Sequence, residues 1–476
     1  LQQVHRLLPA LETDFADRMG TAFYVSTKAA AYYSFVQDYA MSARERETVR
    51  AMLAQFPEDA ARLERLRNTT DPSRLYVRDK QLMRRLIGEE LRVSSTQIEN
   101  TMQCPFKGFC ENGLRLYIRR KNNINPLSAG NLVHACMEQL FLRYPTREAF
   151  LALSGNELRA HAEECAASFL KNELGGAQGK PLRFLQSYRR LTNRMVGLLT
   201  HTQAEMAQSE FSPDACELVI GRLGDTVGTA PYRLTLPNGM ELTLNGKVDR
   251  VDLCEQDGKH YLRIVDYKTG VKQFHLADIY YGLNLQMLLY LFAILDGAEQ
   301  YADMQPAGVL YMPSGAPDGN RPRNDTQSVA EYVNRYFRMS GTVLCDRGIL
   351  SAMEKDIAGI YIPAQLAPED TGEGAPVLTK DSQVFDIRQL ARLRAYIEQT
   401  IIDCMVQYTE GDVAPNPMKK RGSSDQYYEN ACQYCQYRGL CGIDPESPQC
   451  SRSPMTEKES LAAIQAILNG EEAENA

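Results

Sequence analysis

Residues 246–270 read GKVDRVDLCEQDGKHYLRIVDYKTG, and this stretch decides the fold. Two apolar runs flank Asp257-Gly258, and Asp-Gly between such runs is a strong signal for a two-residue hairpin turn. Paired positions lie symmetrically about such a turn. Asp249, about eight residues before the turn, is therefore predicted to face Asp266, about eight residues after it. A bulge or a longer turn would overturn this register.

The same hairpin suggests a metal site. Lys268 shares a face with Asp266, because side chains alternate along a strand. Opposed Cβ atoms lie about 5 Å apart, so the carboxylates of Asp249 and Asp266 repel each other unless a cation lies between them. An Mg²⁺ held there beside a lysine can activate water against a phosphodiester. A solvated surface hairpin is the alternative for either half alone, and the two mirrored halves together favour the metal site.

Helical patterns flank the hairpin on both sides. Residues 283–295, LNLQMLLYLFAIL, have the length and leucine content of a buried helix, and Gln286 and Tyr290 stand four residues apart on it. Upstream, His134 and Glu138 are four residues apart beside an apolar helical stripe. Either pair alone is equally explained as polar residues at the rim of a core helix.

Cysteines form a second constellation. Cys432, Cys435 and Cys441 follow a C-x2-C-x5-C pattern, and thiolates this dense in sequence usually hold a metal. Three ligands leave a tetrahedral iron or zinc site one short, and Cys104, far upstream, is the candidate for the fourth. A disulfide with a free thiol, or inert buried cysteines, are the alternatives.

The motifs occur in one order along the chain: Cys104-Pro105-Phe106, Gly130-x3-His134, Gly246-x2-Asp249-Arg250, Asp266-Tyr267-Lys268, Gln286-x3-Tyr290 and the terminal C-x2-C-x5-C. In this order they resemble the C-terminal nuclease region of the AddB family, which forms one half of the bacterial AddAB helicase-nucleases. That region belongs to the RecB-like branch of the PD-(D/E)XK nucleases and carries a [4Fe-4S] cluster. The resemblance covers roughly residues 95 to 445.

The resemblance implies an α/β fold. We expect a PD-(D/E)XK, restriction-endonuclease-like core with a mixed β-sheet flanked by helices, an N-terminal helical segment and an iron-sulfur staple. Three segments follow: 1–94 as the helical end of a helicase-like domain, 95–450 as the nuclease with its staple, and 451–476 as a polar tail.

The resemblance also implies roles for individual residues. The ligands of Mg²⁺ or Mn²⁺ would be His134, Asp249, Asp266 and the backbone carbonyl of Tyr267. Lys268 would hold and help deprotonate the attacking water, or stabilise charge on the phosphate. The residues that line the site and position Lys268 or the DNA backbone would be Gln286 and Tyr290. The [4Fe-4S] ligands would be Cys104, Cys432, Cys435 and Cys441.

The implied function is that of a metal-dependent exonuclease within a helicase-nuclease complex. By resemblance it would degrade the 5′-ended single strand at DNA ends during repair of double-strand breaks by homologous recombination, beside an AddA-type subunit that unwinds DNA with ATP. One alternative is a catalytically silent DNA-binding or scaffold module. Another is a stand-alone iron-sulfur nuclease of the CRISPR-adaptation or flap-processing type.

Composition agrees with these expectations. The 476 residues are 44% apolar with a net charge of −7, so DNA binding would require a local basic track rather than a generally basic surface. The basic runs at residues 115–121 and 419–421 are the predicted track for single-stranded DNA. Twelve cysteines and the lack of a membrane-length apolar run suggest a reducing cytoplasm. The chain opens on Leu1 and has no G-x4-G-K-[ST] loop, which suggests a fragment of a longer subunit.

Overall fold

A computed structural model describes residues 25–37, 42–70, 76–117, 126–269, 274–315, 328–421, 428–443, 450, 452 and 454–471. The chain divides into two compact units, Leu1–Tyr76 and Val77–Ala476. The helices described in the first unit are α1 (Lys28–Gln37), α2 (Ala43–Leu53) and α3 (Pro57–Thr70). They enclose a small core of their own that includes Val49 and Leu53.

The second unit holds the remaining described elements. Its helices are α4 (Lys80–Ile87), α5 (Ser95–Gln103), α6 (Pro105–Gly108), α7 (Pro126–Arg143), α8 (Arg147–Leu151), α9 (Gly155–Asn172), α10 (Leu182–Gln208), α11 (Leu276–Ile279), α12 (Gln286–Gly297), α13 (Val329–Phe337), α14 (Arg347–Met353), α15 (Ile387–Thr409), α16 (Arg438–Cys441) and α17 (Glu457–Asn469). A π-helical turn (Phe109–Gly113) follows α6, and a 3₁₀ turn (Glu299–Tyr301) follows α12.

Its strands are β1 (Leu91–Val93), β2 (Ser212–Ile220), β3 (Arg222–Leu223), β4 (Thr226–Val227), β5 (Tyr232–Thr235), β6 (Glu241–Leu244), β7 (Gly246–Gln256), β8 (Lys259–Lys268), β9 (Gln305–Pro313), β10 (Ser340–Leu344), β11 (Val384–Phe385), β12 (Lys419–Arg421), β13 (Tyr428–Asn430) and β14 (Met455–Thr456). The main sheet has the order β11-β10-β9-β8-β7-β2. The smaller sheets are β1-β6-β5, β13-β12-β14 and β3-β4.

The predicted hairpin is confirmed as β7 and β8. Asp257 and Gly258 have φ values of 52° and 71°, as a type I′ turn requires at both central positions. The ladder pairs Gln256 with Lys259 at the turn and reaches Arg250 opposite Val265 at its far end. The two aspartates come next along these strands, so the predicted register places them opposite each other where the ladder ends.

Strand β9 lies inside the main sheet, between β8 and β10. The sequence predicts a strand there, but at a sheet edge, and that placement is wrong because β10 and β11 continue the sheet beyond it. Strands β8 and β9 are parallel, with Lys268 opposite Pro313. Their carboxyl ends therefore meet at one margin of the sheet, which is where the hairpin motif ends.

Helices cover both faces of the sheet. On the face opposite Lys268, a fully buried ion network joins β7, β8 and α10. Arg250 Nε lies 2.7 Å from Asp252 Oδ1, Arg263 Nε lies 2.9 Å from Asp252 Oδ2, and Arg263 Nη2 lies 2.8 Å from Glu205 Oε1. Two cations and two carboxylates balance, which is the condition for burying charge. Arg250 of the G-x2-D-R motif is thus a structural residue behind the metal site.

Three expectations about the chain's organisation need correction. Residues 145–215 are predicted as helices, but α10 ends at Gln208 and β2 begins at Ser212, where its segment pairs with β7. The compact second unit begins at Val77 rather than at residue 95. The end of the chain is not a separate polar tail, because α17 buries Ile464 fully and packs against α15.

No helix within the described ranges is both long enough and apolar enough to cross a membrane.

Candidate metal centre and cysteine cluster

Two carboxylates meet where β7 and β8 end. Asp249 and Asp266 are 6% and 2% exposed. Asp249 Oδ2 accepts a hydrogen bond from the backbone N–H of Tyr267 at 2.8 Å. The N–H and C=O of one strand residue point to the same side, so the Tyr267 carbonyl also points toward β7. The carbonyl of Lys268 instead accepts from Ser314 N on the β9 side, at 2.8 Å.

His134 reaches this edge from α7 and meets a residue that was not predicted. Its Nδ1 lies 3.1 Å from Asp249 Oδ1 and 3.2 Å from Glu217 Oε1. Glu217 lies on β2 between Cys216 and Leu218, whose β7 partners are Arg250 and Val248, so Glu217 stands opposite Asp249. The signal in the sequence is the acidic residue within the β-prone run at 215–220.

Glu138, proposed as a partner that orients His134, does not have that role. The carboxylate hydrogen-bonded to His134 outside its own helix is that of Glu217. Burial, and then the Glu217 charge, raise the pKa of Glu138. Glu217 also forms an ion pair with Lys247, so its charge is balanced on one side by that lysine and on the other by His134.

The donor set fits a hard divalent cation. His134 Nδ1, Glu217 Oε1 and Asp249 Oδ1 all lie within 4.8 Å of one another. Neighbouring ligands of an octahedral ion with bonds of about 2.1 Å lie about 3.0 Å apart, close to the two contacts of His134. One nitrogen and two carboxylate oxygens suit Mg²⁺ or Mn²⁺.

Asp266, Lys268 and Gln286 form the adjoining half of the site. Lys268 Nζ lies 2.5 Å from Asp266 Oδ2 and 3.3 Å from Gln286 Oε1, and Gln286 Nε2 donates to Asp266 Oδ1 at 3.1 Å. Asp266 Oδ2 is buried and accepts no hydrogen bond from the described residues, so it retains coordination capacity toward Asp249. The structure thus joins His134 and Asp249 directly, and it holds Asp266 beside them through the lysine and the amide.

The pKa values of this cluster reflect close charges in a buried place. Burial raises the pKa of Asp266, the Asp249 charge raises it further, and Lys268 opposes both, with a net value of about 6. Burial lowers the pKa of His134, but hydrogen bonds with Asp249 and Glu217 outweigh burial and raise it to about 10. Burial raises the pKa of Glu217, and the contacts with His134 and Lys247 more than reverse that, so its pKa is lowered. Without a cation, protons take the place of positive charge here.

Tyr290 is placed as predicted, on the side of α12 that carries Gln286. Its hydroxyl lies 3.4 Å from Ser95 Oγ, and burial raises the pKa of the phenol. A Cβ at Gly246 would lie 2.4 Å from Cε1 of Tyr290. The first glycine of the G-x2-D-R motif is therefore required by the close approach of this ring.

The four predicted cluster cysteines come from two distant segments that converge. Cys104 separates α5 from α6, and the other three follow β13. Met418 N donates to Gln103 O at 2.8 Å, and Tyr437 Oη donates to Leu116 O at 2.7 Å, so hydrogen bonds tie the segments together. Burial, then the charges of Cys104, Cys435 and Cys441, raise the pKa of Cys432 to about 12. Thiolates at these positions need a positive centre to hold them together.

Two further cysteines, read from the sequence as plain core or surface residues, lie near this group. Burial and the charges of Cys435, Cys441 and Cys104 raise the pKa of Cys110 to about 12. Cys450 is 5% exposed and contributes to the raised pKa of Cys432 and of Cys441.

The predicted basic track is not supported where the structure describes it. Lys419 is 8% exposed and its Nζ donates to the carbonyl of Cys450 at 3.3 Å. Lys420 forms an ion pair with Asp278. Both charges are therefore used within the protein, which corrects the prediction for the 419–421 run. Residues 118–121 of the other run lie outside the described residues.

The fold and this site define a metal-dependent nuclease of the two-carboxylate and lysine type. The family model of the PD-(D/E)XK nuclease superfamily matches residues 92–442, and the chain belongs to that superfamily.

Curated relatives are named as the second of the two subunits of an ATP-dependent helicase/deoxyribonuclease. That of Clostridium tetani is 28% identical over 82% of this chain and 33% of its own length. Those of Caldanaerobacter subterraneus and Clostridium botulinum (strain Loch Maree) are each 30% identical over 78% of this chain and 32% of their length. The chain spans about a third of the length of these relatives.

Proposed function

We propose that this chain is a metal-dependent deoxyribonuclease that hydrolyses phosphodiesters at the site of His134, Asp249, Asp266 and Lys268. The observation that carries the proposal is the contact of Lys268 Nζ with the buried Asp266 Oδ2 at 2.5 Å, next to a second buried carboxylate. A hairpin with only a structural role has no physical need for this arrangement, because burial and mutual repulsion make both carboxylates costly.

The chain's own residues would position the reactants. A bound Mg²⁺ or Mn²⁺ would polarise the phosphoryl group and lower the pKa of a bound water. The residues that would hold the ion are His134, Asp249, Asp266 and the Tyr267 carbonyl, joined by Glu217. Lys268, fixed by Asp266 and Gln286, would orient the water or donate to a phosphate oxygen. The water oxygen adds to phosphorus, the bond to the leaving sugar oxygen breaks, and that oxygen takes up a proton.

The relatives' name supports a finer version of this proposal. We infer that the nuclease acts as an exonuclease on the 5′-ended single strand, in complex with an AddA-type helicase subunit, during repair of double-strand breaks. Its place would be the cytoplasm, where thiols stay reduced. All twelve cysteines are free thiols here, as that environment requires.

The test is degradation of single-stranded DNA, labelled at one end or the other, by anaerobically purified protein with Mg²⁺ added or withheld. We expect cleavage in the parent, and its loss in Asp266→Asn and Lys268→Met. Asp296→Asn is the matched control, because that aspartate is half-exposed and pairs with Arg394 away from the site. The labelled end that is released first gives the polarity. If the parent stays inactive, alone and with the helicase partner, the silent scaffold replaces the nuclease.

The cysteine group is proposed to hold a [4Fe-4S] cluster through Cys104, Cys432, Cys435 and Cys441. Four sulfurs around one zinc would lie about 3.8 Å apart, given Zn–S bonds of about 2.3 Å. Within the described residues, no three of these sulfurs come within 4.8 Å of one another, a wider spread that suits a multi-iron cluster. Such a staple would clamp segments far apart in sequence and reduce the entropy of the unfolded chain.

Iron and sulfide content, with the visible absorbance, tests this assignment. We expect about four irons and four sulfides per parent chain, as the cluster's formula requires, and loss of both in Cys435→Ser. The exposed Cys345 provides the control Cys345→Ser, which should retain the cluster. One zinc per chain and no sulfide would overturn the assignment.

A further inference from the structure

An arginine-lined groove lies at the margin of the main sheet where β8 and β9 end. Its volume is about 570 Å³, and α10 and α13 form its walls. The residues used below are Arg190, Asn193, Arg194, Gly197, Gly315 and Asn334, all of which line it. Carboxylates are absent from the described lining, so its polar groups are cationic or neutral.

The charge comes from one stretch of α10. Residues 182–204 contain four arginines and no aspartate or glutamate, although the whole chain carries −7. Arg183, Arg190 and Arg194 are spaced by seven and four residues, so they lie on one stripe of the helix, about 16 Å long. All three are exposed. Within the described part of the chain, no ion pair links Arg183 or Arg190 to a carboxylate, so their charge is available to a ligand.

The groove adjoins the candidate metal centre through the backbone. A Cβ at Gly315 would lie 3.1 Å from the carbonyl of Thr269, the residue that follows Lys268. The residue before Gly315, Ser314, hydrogen-bonds to the Lys268 carbonyl. A chain of phosphates that follows the groove toward Gly315 would therefore arrive at the end of β8.

Its floor is open at the middle. Gly197 faces the groove, and a Cβ added there would meet nothing within 4 Å. The volume falls within the range of roughly 300 to 1,000 Å³ that holds small ligands, enough for one or two nucleotides of a single strand and too small for a duplex. Arginines that alternate with amide groups, here Asn193 and Asn334, are the donors that recognise phosphate and sugar.

We propose that this groove binds the sugar-phosphate backbone of single-stranded DNA, with Arg190 and Arg194 as the principal phosphate contacts. The role of the groove in feeding a strand to Lys268 rests on the proposed nuclease function. The binding itself does not, and the two are tested separately.

The experiment uses the full chain in an Asp266→Asn background, so that DNA is bound but not cut. Affinity for a fluorescein-labelled oligothymidylate is measured as a function of salt, for this parent and for added Arg190→Gln/Arg194→Gln. Arg189→Gln is the matched control, because Arg189 is an exposed neighbour about 100° off the stripe.

We expect the double variant to bind at least tenfold more weakly and the salt slope to fall by about 1.4, since each lost phosphate contact on a single strand is worth about 0.7. Arg189→Gln should change both much less. Equal affinity and slope in the double variant and the control would overturn the proposal. So would a blunt duplex that competes as well as the single strand. Groove-dependent binding beside an uncleaving wild-type chain would keep the groove and refute the nuclease.

Discussion

Helix α7 carries metal-ligand residues on two sides, and the two groups differ in kind. His134 meets Glu217 and Asp249, whereas Cys136, two residues later and about 200° around the helix, meets His161 and Cys165. Both groups bring three ligand atoms within 4.8 Å of one another. By ligand type and spacing alone, either could hold a metal.

Charge and access separate them. The first group contains two carboxylates, and the His134 side chain is 30% exposed. The second group is buried and satisfies itself without a charge. Cys165 Sγ donates to Gln139 Oε1 at 3.1 Å, and His161 Nε2 lies 3.1 Å from the Cys136 carbonyl. Ligand-type residues thus indicate a metal site where excess negative charge meets solvent, and helix packing where thiols and imidazole satisfy one another.

The largest expected effect separates the two sides of α7 directly. His134→Ala should lower DNA cleavage by at least about 100-fold, since loss of an outer partner of a metal ligand alone typically costs 10- to 100-fold. Cys136→Ser, on the same helix, should leave cleavage within about twofold. The initial rate at saturating Mg²⁺ is the measurement. Similar losses in both variants would mean that α7 acts as a whole and that the comparison is wrong.

A smaller effect is expected at Glu217. Glu217→Gln removes one negative charge beside His134 and Asp249, and we expect Mn²⁺ affinity to fall about 10- to 100-fold. Glu138→Gln is the control, since Glu138 lies nearby but has no hydrogen bond to His134 among the described contacts. Isothermal titration with Mn²⁺ measures both. If the two variants lose affinity equally, Glu217 acts only through bulk charge.

The hairpin could be predicted because its determinants are local. Asp257 and Gly258 adopt the positive φ values of a type I′ turn, and the turn fixes every pair up to Arg250 and Val265. The positions of Lys268 and Gln286 follow from strand alternation and from the end of one helix. Local rules therefore suffice for the half of the site on the hairpin.

Glu217 could not be predicted in the same way. Its position opposite Asp249 depends on β2 pairing with β7 across some thirty residues, and the register shifts between Pro213 and Ala215. Glu217 itself has a φ of 53°, which strand propensity does not anticipate. The basic run at 419–421 failed for a related reason, because tertiary packing buries Lys419.

The pH dependence of metal binding sharpens the comparison further. His134 must lose a proton to bind a metal, and its pKa is raised to about 10. Asp266, with a pKa of about 6, must do so as well. Mn²⁺ affinity should therefore rise with pH, up to about tenfold per unit between pH 6 and 10 and more steeply below 6. His134→Asn should flatten the rise above pH 6. A slope that survives this substitution would show that another group releases the proton.

The smallest effect is expected on the buried side of α7. Cys165→Ala removes the thiol between Gln139 and His161, and leaving their polar atoms with fewer partners should cost about 1 to 2 kcal/mol of unfolding free energy. Urea unfolding followed by far-UV circular dichroism measures this, because the chain has no tryptophan. Metal content should not change, since hydrogen bonds among neutral groups already satisfy this cluster. If zinc content falls by one equivalent while the iron stays constant, the buried group is a metal site, and the contrast between the two sides of the helix fails.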